Sequence, residues 1–160
     1  MTKFSIPFTQ LIHENLSILM NFCFARKPLE RLIDTKFSGE WKYLRKGLFT
    51  VAENRAEKAC LESAMYLRLL DDEEEISNYL RQTKSNVTFG QLILREKPKK
   101  EKELELRDVA NKIIHASALE WNLANENEPL LICHSREEEK WVRAEINIIS
   151  LAGFCGTLMH

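Results

Sequence analysis

The chain predicts a mainly α fold: an up-down helical bundle carrying a small C-terminal antiparallel β-hairpin or three-stranded sheet. Three patterns predict it. Apolar residues recur at helical spacing through most of Phe8 to Leu70, and again over Leu104–Ala116. After Ala116 the period falls to two, as in half-buried strands. These patterns divide a single domain, residues 1–160, into a helical bundle (1–116), a β appendage (117–147) and a closing helix (148–160).

Phe8 to Phe24 is the first predicted helix, apolar over much of its circumference through Leu11, Ile12, Leu16, Ile18, Leu19, Met20, Phe22 and Cys23. His13 reads as a structural histidine at the edge of that face. Pro28 opens a second short helix or turn, Pro28 to Phe37, because proline is tolerated in a first helical turn. Ser38-Gly39 interrupts the pattern, with Ser38 as a capping residue.

Glu40 to Leu70 is the longest periodic segment. Ala52, Ala56, Ala59, Cys60, Ser63 and Ala64 give it one face of small residues, which invites a close antiparallel neighbour. Gly47 marks a bend or break within it. The acidic run Asp71–Glu75 suits a helix start better than a helix end, so the long helix should stop near Leu70. A shorter one then starts from Asp72, with Glu75 in the capping-box position, and runs to about Lys84.

Val87 to Leu94 reads either as a short helix started from Thr88 or as a brief strand. Arg95–Lys102 reads as a mostly basic linker, in which Lys99, Lys100 and Lys102 are candidate phosphate-attracting residues. Further on, Leu119, Trp121 and Leu123 alternate with polar residues; Asn125–Pro129 is a turn and Leu130–His134 a second strand. Ser135–Glu139 is a second turn, Trp141 to about Ile146 a third strand, and a closing helix runs toward Met159. Trp121 and Trp141 are expected to pack the sheet.

Composition narrows the function classes. With 44% hydrophobic and 29% charged residues and a net charge of −1, the chain is no globally basic nucleic-acid binder. No apolar run approaches the roughly 20 residues of a membrane span, and the N-terminus lacks a signal-peptide pattern. A cytoplasmic protein is the expectation. Cys23, Cys60, Cys133 and Cys155 are scattered without any CxxC pair, so buried free thiols are expected, with no metal and no cofactor. Cys133 and His134 are adjacent, but neighbours on a strand point to opposite faces.

The chemistry concentrates on Leu104–Ala116. At 100° per residue Leu106, Val109, Ala110 and Ile113 form an apolar stripe, with Ile114 on its flank. Arg107, Asn111 and His115 follow at i, i+4 and i+8 as a polar ridge. Asp108 can accept a proton from His115 or pair with Lys112. A titratable imidazole suits proton transfer, and a guanidinium two turns away suits a phosphate.

Arg107-Asp108, Asn111 and His115-Ala116 resemble the motif helix of the HEPN-like superfamily. This group of α-helical bacterial proteins includes uncharacterised members and metal-independent ribonucleases of toxin–antitoxin and defence systems. Seven residues separate Arg107 from His115, one more than the family pattern. The resemblance implies a homodimer with facing motif helices. In a ribonuclease, His115 would move a proton and Arg107 would stabilise the scissile phosphate, with Asn111 and Asp108 orienting them; Lys99, Lys100, Lys102 and Lys112 would attract RNA. The longer spacing and near-neutral charge favour a second expectation, a dimeric interaction module that binds a protein partner such as an antitoxin.

Overall fold

The computed structural model describes residues 7–36, 39, 42–137 and 139–159. Two long helices dominate it, α1 (Phe8–Lys36) and α2 (Lys42–Glu74), followed by α3 (Ile76–Gln82). Strands β1 (Gly90–Leu94) and β2 (Glu101–Glu103) come next, then α4 (Leu106–Ile114). Three further strands, β3 (Ala118–Asn122), β4 (Leu130–His134) and β5 (Trp141–Asn147), lead into α5 (Ile148–Gly156) and a terminal 3₁₀ turn.

The first two predicted helices are one. α1 runs straight through Pro28, although an interior proline removes a backbone hydrogen bond. Packing and pairing on both sides of the proline hold the helix: Phe22 and Cys23 before it and Ile33 after it are buried, while Lys27 Nζ donates to the Ala124 carbonyl at 2.7 Å. α2 likewise continues through Gly47 without a break. Its small-residue face is buried against α1, with Ala56, Ala59 and Cys60 at most 2% exposed. Arg26–Glu53 and Arg45–Asp34 ion pairs mark the antiparallel register of this hairpin. Ser38, the expected cap between the two helices, lies outside the described residues.

The helix boundary near Leu70 also moves. α2 continues to Glu74, and the chain turns at Glu75 in the left-handed region (φ 50°) before α3. Asp71 does serve the start of α3, but from inside α2. Its carboxylate accepts the Ser77 backbone N–H at 2.6 Å and the Ser77 hydroxyl at 2.8 Å. The dipole argument for acidic residues at a helix start holds across the turn rather than along the sequence.

The sheet is larger than the predicted hairpin or three strands. It has five antiparallel strands in the order β2-β1-β5-β4-β3. β1 is the brief strand among the two readings of Val87–Leu94, and β2 arises in the segment read as a basic linker. Gly90 shows why β1 can lie close against β5: its φ is +128°, and a Cβ there would sit 1.9 Å from the Glu145 carbonyl oxygen. Arg95 closes the β1–β2 hairpin onto the next turn, donating to the Glu139 carbonyl at 3.0 Å and to the Ser135 hydroxyl at 3.2 Å.

One face of the sheet supplies Leu92, Leu131, Cys133, Ala144 and Ile146 to a core shared with α1, α2, α4 and α5. The β3–β4–β5 meander follows the predicted alternation. α5 starts at Asn147, whose side-chain oxygen accepts the Ser150 N–H at 3.0 Å. All four cysteines are free and buried. No described helix is long and apolar enough to cross a membrane.

Candidate functional site

α4 forms where its pattern predicts. Leu106, Val109, Ala110 and Ile113 are all buried. Its start is fixed by a reciprocal capping box between Glu105 and Asp108, in which Asp108 accepts the Glu105 backbone N–H at 3.2 Å. Asp108 is therefore committed to the helix start, with Lys102 Nζ 3.9 Å away. Neither His115 nor Lys112 is its partner in these bonds. Lys112 instead lies over the Trp141 ring, 4.6 Å from its centroid.

The polar ridge is divided. Arg107 Nη1 donates to Asp72 at 2.5 Å and to the buried carboxylate of Asp71 at 3.2 Å. One turn on, Asn111 Oδ1 accepts from Arg68 Nη1 at 3.1 Å. Arg68 and Asp72 are themselves one turn apart on α2, so two rungs tie α4 antiparallel to α2. The Asp72 hydrogen bond, followed by that from Asp71, pushes the Arg107 pKa further up. Two carboxylates thus engage the guanidinium, and an arriving phosphate would have to compete with them.

His115 stands apart from this seam. It is the C-cap of α4 and is exposed to solvent, about 12 Å along the helix axis from Arg107 at 1.5 Å per residue. The cleft that holds Arg107, of about 260 Å³, is lined by Asp71, Asp72, Glu75, Ser77, Asn78 and Arg81, and does not reach His115. Within one chain, then, Arg107, Asn111 and Asp108 are structural partners of α2 and of the helix start. The imidazole does not join them.

The lysines predicted to attract phosphate fall on the β1–β2 hairpin, not on a linker. Lys100 pairs with Glu96 at 3.1 Å, and Lys99 is exposed in the turn. The other two histidines among the described residues also have partners. His13 donates from Nε2 to the Cys155 carbonyl at 2.8 Å, a structural role as expected. His134 pairs with Glu120 at 2.7 Å on the sheet face opposite buried Cys133.

A second surface escaped the sequence reading. On α2, opposite the small-residue face, Gly47, Val51, Asn54, Lys58, Leu61, Met65 and Leu69 line up along the helix, and every one is exposed. Val51 is 57%, Leu61 44%, Met65 50% and Leu69 44% exposed. Part of the signal was available: Leu61, Met65 and Leu69 recur every four residues, overshadowed by the alanines behind them. Asn54 and Lys58 interrupt the row, and Leu61, Met65 and Leu69 form its apolar run, the kind of exposed surface that serves interaction on folded proteins.

No protein-family profile, curated protein or solved structure matches this chain. Its function therefore rests on its own geometry.

Proposed function

We propose that this chain is a non-catalytic interaction module that binds a protein helix along the outward face of α2. One observation carries the reading: Val51, Leu61, Met65 and Leu69 lie exposed in one row on a helix whose other face is buried. A protein partner covers such a row by laying an apolar helix stripe along it. The division of the polar ridge supports the same reading, since Arg107 and Asn111 are spent on holding α4 to α2. The resemblance of α4 to the HEPN motif helix suggests the setting, a toxin–antitoxin or defence-type system.

The ribonuclease reading keeps one observation in its favour: His115 is exposed, and Arg107 is one-third exposed at the rim of a cleft. It requires Asp72 to yield the guanidinium and a second chain to bring the missing partner. A cleavage assay on structured and single-stranded RNA, in chelator, separates the two readings. The module reading expects no cleavage by the wild type above that of His115→Ala or Arg107→Ala. Cleavage that both substitutions abolish would replace it with the catalytic one.

A further inference from the structure

We infer that the helix which docks on α2 is α2 of a second copy, running antiparallel. The inference rests on the module reading and names its partner. Along the exposed row Gly47, Val51, Asn54, Lys58, Leu61 and Met65 are spaced four, three, four, three and four residues apart. That sequence of intervals is the same in both directions, about a centre at position 56. A two-fold axis there, perpendicular to the helix, sets Gly47 against Met65 of the second copy, Val51 against Leu61 and Asn54 against Lys58. The alternation of three and four is the spacing of a coiled-coil seam.

The layers match in chemistry as well as position. Met65, flexible and large, meets Gly47, which leaves it room. Val51 and Leu61 make an apolar layer on each side of the centre. The two central layers place the amide oxygen of Asn54 opposite the Lys58 ammonium, and polar residues inside a seam fix register and orientation.

Charge favours the antiparallel sense. The N-terminal half of α2 carries Arg45, Lys46, Arg55 and Lys58 against Glu53 and Glu57; the C-terminal half, apart from Asp71 and Asp72, which Arg107 engages, carries Glu62, Glu73 and Glu74 against Arg68. Antiparallel pairing brings unlike halves together and opposes the two helix dipoles, whereas parallel pairing stacks like on like. The surface so used is distinct from the facing motif helices that the HEPN resemblance implies.

The experiment measures the mass of the full chain by sedimentation equilibrium over a range of concentrations, with cysteine cross-linking to give direction. A two-fold mass is expected, falling to the monomer mass in Leu61→Glu and in Met65→Glu, with circular dichroism unchanged because both positions are exposed. The double variant Val51→Cys/Leu61→Cys should cross-link under mild oxidation, while Leu61→Cys alone should not. In the antiparallel register the two Leu61 sites are about 15 Å apart along the axis. The native cysteines are all buried and do not compete.

A monomer at every concentration would overturn the inference, as would a dimer that survives both glutamate substitutions, or efficient cross-linking through Leu61→Cys alone. The module reading fails separately. A monomeric wild type that holds a stoichiometric partner, lost in Met65→Glu, overturns self-pairing and leaves the module standing. A monomer whose every association is indifferent to Leu61→Glu and Met65→Glu overturns both.

Discussion

The two faces of α2 use the same helix to opposite ends. The inward face is built of Ala56, Ala59, Cys60, Ser63, Ala64 and Leu67, none more than 2% exposed. The outward face carries larger apolar side chains, Val51, Leu61, Met65 and Leu69, in water. Small residues inside let α1 and α4 approach closely; large ones outside are not covered by any of the described residues. Burial thus makes the inward face a source of stability, while the outward face, being exposed, contributes little to it and is the surface of the proposed association.

Raising the pH should expose that difference most strongly. Burial pushes the thiols of Cys23, Cys133 and Cys155 up from 9.0 to about 12, and raises Cys60, on the inward face of α2, well above its ordinary value. Between pH 9 and 12 the unfolded chain loses these protons and the folded chain keeps them, so the unfolded state binds fewer protons and stability falls as pH rises. Each such thiol weakens the fold by about 1.4 kcal/mol per pH unit in that window. Denaturant midpoints measured from pH 8 to 11 should be flat at first and then drop steeply. A flat profile throughout would show that the thiols are not sealed in the core.

Leu67→Ala tests the inward face by a single cavity. Leu67 is 1% exposed, and its truncation should cost about 2–5 kcal/mol in urea unfolding. Asp71→Ala comes next, at about 1–3 kcal/mol, because it strands the Ser77 N–H and hydroxyl and removes one of two carboxylates from Arg107. Asp71→Asn, which keeps an acceptor at that site, should recover part of the loss. Equal losses in the two variants would assign the stabilisation to charge and not to the α3 cap.

These residues also show what the sequence disclosed. The apolar stripe of α4 and the β3–β4–β5 meander were legible because their periods survive in the fold. β2 was not, since Glu101-Lys102-Glu103 is a short, charged, exposed edge strand with no apolar alternation to reveal it. Pro28 read as a boundary because local propensity says so, and tertiary packing overrides it. For the site, the ridge of Arg107, Asn111 and His115 was legible as a line, but its partners were not. Asp71, Asp72 and Arg68 stand 36, 35 and 43 residues away from the groups they bind, a distance that periodicity does not reach. The proline, the edge strand and the ridge share a cause: each is decided by a contact between elements.

The smallest effect belongs to the outward face and is the most discriminating. Leu61→Ala removes as many atoms as Leu67→Ala, two turns away on the same helix, yet in the isolated monomer it should change stability by less than about 0.5 kcal/mol. At high concentration the two substitutions should behave differently again. Self-association stabilises the folded state by mass action, so the wild-type melting temperature should rise with concentration. In Leu61→Ala that rise should shrink, while in Leu67→Ala it should persist on a lower baseline. Scanning calorimetry at a series of concentrations reads both terms at once. A concentration-independent penalty for Leu61→Ala comparable to that of Leu67→Ala would mean that the chain itself covers this row, and the distinction between the two faces would fail.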